Sequence, residues 1–128
     1  MIVSEFLFWG VVGIMTELCF TAVKGLIVDR EVNLVGHTSL WMFPVYGFGL
    51  SYGFDFVMSL IKNDAIRYLT YPLWIWCVEL LIGYPAVRKG IRIWDYRYLP
   101  NWLHWKGIVS FAHYPLWVCF GIMVELIK

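Results

Sequence analysis

The sequence predicts an all-α, polytopic membrane protein with four transmembrane helices in a compact bundle. Of its 128 residues, 61% are hydrophobic and 15% are charged, whereas soluble globular chains have roughly 45–50% apolar and about 25% charged residues. The apolar residues gather in four long stretches with one acidic residue in each. Because a soluble domain of this length cannot hide so much apolar surface from water, we expect residues 1–128 to form one transmembrane domain.

Each stretch is long enough to cross a bilayer as a helix. At about 1.5 Å per residue they reach roughly 27–31 Å, close to the hydrocarbon thickness of about 30 Å. Transmembrane strands would be about 9–11 residues long and would alternate apolar with polar residues. The predicted spans are residues 6–23, 41–61, 68–87 and 108–127.

The first span carries small residues on one helical face. Gly10, Gly13, Glu17 and Thr21 recur at intervals of three or four, which places them on the same side of a helix. Small residues on such a face favour close helix packing in lipid. The segment before this span has no basic residue, so we do not expect a cleaved signal peptide.

The second and third spans show similar faces. In the second span, Gly47, Ser51, Asp55 and Ser59 fall at intervals of four. The connection 62–67 is short, so the third span should be its antiparallel neighbour. The third span presents one face, made of Trp76, Glu79 and Gly83.

The fourth span ends close to its acidic residue. Glu125 lies about 3 Å from the outer end, so we expect it to extend outward as an interfacial anchor. One stripe is predicted on this helix: Gly107, Ser110, Tyr114, Trp117 and Gly121.

Basic residues are distributed unevenly between the two faces of the predicted bundle. The loops 24–40 and 88–107 hold seven Lys or Arg residues, against three on the side of the termini. The positive-inside rule therefore predicts both loops in the cytoplasm and both termini outside, in a plasma or inner membrane.

The loop 88–107 also carries many Trp and Tyr residues. They are typical of an interfacial belt, and a second interpretation is a lid or a lipid-headgroup contact. The candidate gating or headgroup residues are Trp41, Trp76, Arg88, Arg92, Trp94 and Tyr96.

Charge is separated between the spans and the remainder of the chain. The spans carry a formal −4 and the remainder +5, which sum to the net +1. An unpaired charge at mid-membrane costs about 2.5–3.5 kcal/mol. Glu17 and Glu79 lie about 9 and 12 Å from the inner ends of their spans, a similar depth that would allow them to face each other, although the sequence does not decide whether they touch.

The two halves of the chain show a weak sequence echo. Thr16-Glu17-Leu18 and Val78-Glu79-Leu80 occur in the first helix of each half. Two helices per half would give parallel repeats. The echo therefore suggests two helical hairpins related by a pseudo-two-fold axis.

Several motifs together are similar to those of one membrane-protein family. They are Glu17-x-x-Phe20-Thr21, Gly36-x-x-Ser39-Leu40-Trp41 with Tyr46-Gly47, Trp76-x-x-Glu79-x-x-x-Gly83 and Trp94-Asp95-Tyr96. The chain resembles the ABC-transporter type IV (CmpB-like) family, whose animal relatives are called the transmembrane protein 229 family. This resemblance implies a small four-helix integral membrane protein, without a settled activity.

The leading functional hypothesis is a polar cavity that responds to protons or cations and serves transport or binding of a small solute. The candidate binding residues are Glu17, Thr21, His37, Ser39, Glu79 and Asp95. Two carboxylates in a medium of low dielectric constant should share a proton or a cation. Because a four-span chain has little interior, we expect a homodimer.

Two other functional hypotheses stay open. One is a lipid-binding protein or enzyme at the inner-leaflet headgroups, with carboxylates and His37 in acid-base roles, although no catalytic residue is identified. The other is an accessory membrane subunit. A near-neutral chain is not typical of nucleic-acid binding, and no P-loop motif for ATP hydrolysis is present.

Metal and cofactor sites are not predicted. His37, His104 and His113 are scattered, and no HExxH or EF-hand spacing occurs. Cys19, Cys77 and Cys119 form no CxxC pair and lie among apolar residues. We expect them to be small core residues.

Overall fold

The structure of the protein, a computed structural model, describes residues 2–128 and is 69% helical. The predicted all-α class is confirmed at this level. The chain divides into two compact units, residues 1–53 and 54–128. The elements are α1 (Ile2–Val28), α2 (Met42–Phe48), a π-helical turn (Gly49–Gly53), α3 (Phe54–Leu60), α4 (Asp64–Arg88), a 3-10 turn (Asn101–Leu103), β1 (His104–Trp105), β2 (Val109–Ser110) and α5 (Tyr114–Ile127).

Within residues 2–128, two helices are long and apolar enough to cross a membrane, Val3–Val28 within α1 and Asp64–Arg88, which is α4. In the most apolar stretch of each, only 6% and 22% of the residues are buried inside the structure. The core helix of a soluble protein would instead be mostly buried. The predicted helices over 6–23 and 68–87 are confirmed as parts of α1 and α4.

In the first unit, glycines let α1 and α2 approach closely. A Cβ atom added at Gly10 would lie 2.8 Å from the Phe43 ring, and one added at Gly13 would overlap Tyr46. The predicted small-residue face of the first span is therefore its packing face.

The predicted second span is helical over residues 42–60, with a π-helical turn in its middle. Within this turn the buried Ser51 hydroxyl donates a hydrogen bond to the carbonyl of Gly47. Such a bond between a serine and the preceding turn is typical of locally distorted helices. The boundary between the two compact units falls directly after the turn, at Gly53.

The predicted helix over 108–127 is wrong in its first part. Residues 104–110 form an antiparallel hairpin in which Trp105 pairs with Val109, and α5 begins only at Tyr114. Ile108 and Val109 are 1% and 6% exposed, so their apolar side chains fill the second unit rather than extend a membrane helix. This is why their hydrophobicity is misleading in the sequence.

The prediction that Glu125 extends outward as an anchor is also wrong. Arg67, which lies in the first turn of α4, forms an ion pair with Glu125 of α5 and donates a second hydrogen bond to it from Nε at 2.8 Å. The Tyr71 hydroxyl, on a side chain that is fully buried, donates to the same carboxylate at 2.6 Å. Glu125 therefore holds α4 and α5 together.

The cysteines are not core residues, contrary to the prediction. Cys19, Cys77 and Cys119 are free thiols with exposed side chains. All three lie on apolar helices. A weakly polar thiol behaves as a small hydrophobe, so it fits an outward apolar face as well as a core.

Candidate functional site: two glutamate and tyrosine pairs

The site in the first unit is built around Glu17, near the middle of α1. The Tyr46 hydroxyl of α2 donates a hydrogen bond to Glu17 Oε1 at 2.7 Å. The ring of Tyr46 reaches this position because it lies directly against Gly13, one helical turn before Glu17. Glu17 is a predicted site residue, whereas Tyr46 is noted only within a motif of the family resemblance and is not paired with Glu17, since nothing local indicates a contact across 29 positions.

Thr21, one helical turn after Glu17, contacts the backbone of His37. The Thr21 hydroxyl accepts a hydrogen bond from the His37 backbone N–H and contacts the His37 carbonyl oxygen, both at 2.8 Å. These contacts hold the loop against α1, where Gly36 lies directly on the carbonyl of Leu18. The His37 side chain remains exposed.

Ser39 and Trp41 have a different, local role. The Ser39 hydroxyl accepts a hydrogen bond from the Trp41 backbone N–H at 3.3 Å, and the Ser39 carbonyl accepts one from Met42 at 2.9 Å. These bonds satisfy backbone donors at the start of α2. The Trp41 side chain is 60% exposed.

The site in the second unit is built around Glu79, which is buried in the middle of α4. The Tyr96 hydroxyl donates to Glu79 Oε1 at 2.7 Å, and the Tyr96 side chain is itself buried. The backbone N–H of Tyr96 donates to the carbonyl of Gly107 at 2.9 Å, which ties the loop to the hairpin. Both units therefore pair a glutamate of a long apolar helix with a phenol from a later segment.

Two tryptophans fix the backbone beside Glu79. The indole N–H of Trp76 donates to the Ser110 carbonyl at 2.9 Å, and that of Trp94 donates to the Ile108 carbonyl at 2.7 Å. Trp94 reaches this position because Gly83 leaves room for its ring. These bonds satisfy carbonyl groups that a buried, non-helical segment would otherwise leave unpaired. The structure thus places two predicted gating residues as supports of the hairpin.

Aromatic contacts continue the Tyr96 pair toward α5. The Tyr96 and His113 rings lie 5.3 Å apart, and the His113 and Trp117 rings 5.7 Å apart. The Tyr98 hydroxyl lies 3.4 Å from His113 Nε2. The Glu79 carboxyl group therefore lies at one end of a row of side chains that runs through Tyr96 to the imidazole of His113.

Asp95 lies at the surface in ion pairs. Arg97 contacts it at 2.7 Å and Arg92 at 3.8 Å. Hydrogen bonds from the Arg97 guanidinium are the main reason that the pKa of Asp95 is below its usual range. Arg88, a further candidate, lies over the Tyr84 ring at 5.9 Å.

We expect the ion pairs of Asp95 to stabilise the fold only above acidic pH. Because the pKa of Asp95 is lower in the folded chain, this stabilisation is complete above the unfolded value of about 3.9 and is lost as the pH falls through the folded value. The thermal unfolding midpoint should therefore be higher for the wild type than for Asp95→Asn at neutral pH, and this difference should shrink below about pH 4. A difference that stays constant down to about pH 3 would contradict the assignment.

Two ion pairs of span acids were not predicted. Lys128 Nζ contacts Asp55 at 2.9 Å, and Arg67 pairs with Glu125. In the sequence, both basic residues lie outside the spans.

Glu17 belongs to the first unit and Glu79 to the second, so the shared cavity stays a prediction. Within residues 2–128, no three His, Cys, Asp or Glu side chains gather closely enough to hold a metal ion.

No protein-family model matches the chain, and no solved structure matches it. The resemblance to the CmpB-like family therefore stays a prediction.

Proposed function

We propose that the chain is an integral membrane protein that takes up a proton or a cation at Glu17 and Glu79 and couples this to binding or transport of a small solute. The observation that carries the proposal is the pair of phenol-to-glutamate hydrogen bonds, both 2.7 Å long. Both glutamates lie on helices that are long and apolar enough to cross a membrane. Ionisable residues at such depth are costly and usually functional.

The exposed apolar surface supports a membrane location. Outward side chains of α1 such as Leu7, Val11 and Met15 are 49–55% exposed. Residues 42–60 are helical throughout, and we propose that this segment makes a third crossing. We propose that α5, about 21 Å long, makes the fourth crossing together with the buried hairpin.

The partners of the four acids support different roles for them. Asp55 and Glu125 contact the cationic groups of Lys128 and Arg67, and such charge-assisted contacts are among the stronger hydrogen bonds. A phenol can donate a hydrogen bond to a carboxylate and accept one from a protonated carboxyl group. Glu17 and Glu79 are therefore the acids suited to reversible protonation.

The proposed orientation follows the basic residues, with the loops 24–40 and 88–107 in the cytoplasm and the termini outside. We also propose a homodimer in a plasma or inner membrane. The resemblance to the CmpB-like family implies a small four-helix integral membrane protein, which agrees with the proposed membrane location. The basic and aromatic side chains of the hairpin 104–110 favour the alternative of a protein that binds lipid headgroups.

The test reconstitutes the full chain in phosphatidylcholine vesicles that contain a pH-sensitive dye. A valinomycin-induced potassium potential should drive proton uptake by the wild type. Glu17→Gln and Glu79→Gln should each reduce uptake to the level of protein-free vesicles, because an amide cannot bind the proton. The infrared band of protonated carboxyl groups should also lose amplitude in both variants.

Glu5→Gln is the matched control, since Glu5 is an exposed glutamate in the first turn of α1. It should leave proton uptake and the carboxyl band unchanged. Tyr96→Phe should reduce uptake without abolishing it, because the carboxyl group remains. Wild-type behaviour of both glutamine variants in both measurements would exclude the proposal.

A further inference from the structure

The tip of the hairpin places a lysine where the backbone disfavours it. Lys106 and Gly107 have φ values of 51° and 70°, and Ile108 N donates to the Trp105 carbonyl at 2.9 Å. Positive φ at both central residues together with this hydrogen bond is typical of a type I′ turn, whose central positions prefer Gly, Asn or Asp. A side chain retained in a disfavoured backbone conformation is a reason to look for a function.

The Lys106 ammonium lies over two aromatic rings. Its Nζ is 4.9 Å from the centre of the Trp105 ring and 5.6 Å from that of Tyr84. The Arg88 guanidinium lies 5.9 Å from the same Tyr84 ring. These distances are within the range of cation–π attraction, which holds both cations in place. We call Tyr84, Arg88, Trp105 and Lys106 the hairpin platform.

The cations of the hairpin platform are available to an anion. In the described part of the chain, neither Lys106 nor Arg88 has a carboxylate within 4.0 Å. Arg92 lies beside them, with its Nη1 3.3 Å from the Lys106 carbonyl oxygen, but Asp95 lies 3.8 Å from this guanidinium, so Arg92 is not counted as a free cation of the platform. An ammonium group has three N–H donors, so contact with a ring does not exhaust them.

The side chains beside the hairpin platform favour an anion that lies at a membrane surface. Trp102, in the 3-10 turn before the hairpin, is 77% exposed, and Trp105 is 39% exposed. Exposed tryptophans beside basic residues are typical of the headgroup level of a membrane. These exposed apolar side chains would not contribute to the binding of inorganic phosphate from water.

We propose that the hairpin platform binds the phosphate of an anionic phospholipid headgroup. The proposal rests on the membrane placement proposed above, because the lipid reaches the platform only from a bilayer. It is independent of proton uptake by Glu17 and Glu79.

The test compares the thermal unfolding midpoints of the full chain in detergent micelles with added phosphatidylglycerol or phosphatidylcholine. Phosphatidylglycerol should raise the wild-type midpoint more than phosphatidylcholine does. Lys106→Asn should abolish this difference. Without lipid, the same variant should unfold at a higher temperature than the wild type, since Asn suits the turn. This combination separates lost binding from lost folding.

Lys62→Asn is the matched control, because Lys62 is an exposed lysine outside the hairpin platform. It should keep the full phosphatidylglycerol effect. The proposal is overturned if Lys106→Asn keeps that effect, or if inorganic phosphate raises the wild-type midpoint as much as the lipid does. Proton uptake in phosphatidylcholine vesicles is measured separately. If phosphatidylglycerol fails to raise the wild-type midpoint while proton uptake is intact, the lipid proposal fails and the proposed function stands.

Discussion

Replacing Arg67 by Met is expected to lower the free energy of unfolding by about 3–5 kcal/mol, because it leaves the Glu125 carboxylate, whose side chain is only 13% exposed, without its cation. Arg67 is 7% exposed and contacts Glu125 through two of its nitrogens. It also donates to the Ile61 carbonyl at 2.9 Å, so one side chain joins α4, α5 and the preceding connection. Denaturant titration of the detergent-solubilised chain would measure the loss.

Two further variants identify the cause. Asp64 is the second acidic partner of Arg67, and the Asp64 side chain is 70% exposed. Asp64→Ala should therefore lower the free energy of unfolding by at most about 1 kcal/mol. The double variant Arg67→Met with Glu125→Leu removes both buried charges and should recover most of the stability. Equal losses in the single and double variants would contradict a buried ion pair.

Gly13→Ala is expected to have the second-largest effect on stability, about 1–3 kcal/mol. The new methyl group would overlap the Cβ and Cγ region of Tyr46, which is the least mobile part of that side chain. The phenol would then move away from Glu17, so proton uptake should fall as well. The free energy of unfolding and the uptake assay described above measure the two effects.

Gly25→Ala is the matched control on the same helix. The nearest atom to an added Cβ there is Glu31 Cβ at 3.9 Å, so the substitution should stabilise α1 by up to about 1 kcal/mol. In a Tyr46→Ala background, Gly13→Ala should lose most of its cost, as expected for residues in direct contact. A cost that persists there would mean that Tyr46 is not the obstacle.

The long helices are predictable from the sequence because their apolar runs exceed what a strand or a soluble helix needs. The same criterion fails over residues 108–113, where hydrophobicity is as high but the backbone is extended or turns. Hydrophobicity records burial from water and does not distinguish a lipid-facing helix from a buried strand. The sequence does not predict the positive φ values of Lys106 and Gly107, because Lys-Gly is not among the residue pairs typical of a type I′ turn.

The candidate site is predictable in its acids and only partly in their partners. Glu17 and Glu79 stand out because each is the single charge of an apolar span, and the spacing of Gly13 and Gly83 marks the faces that carry them. Tyr46 and Arg67 do not stand out, because their contacts join positions 29 and 58 residues apart. Only the packing of the helices decides which distant side chain reaches which carboxylate.

Under the proposed membrane placement, in which α4 and α5 both cross the bilayer, the Arg67 and Glu125 pair also has a consequence for how the chain enters the membrane during synthesis. Each residue alone would place a full charge at or near the membrane, and α5 has only 14 helical residues with which to insert. Insertion of α5 by itself is therefore unfavourable, whereas joint entry with α4 neutralises both charges. We expect α4 to wait in the translocation machinery until α5 has been made, so that the second unit is released into the lipid as a preformed pair of helices.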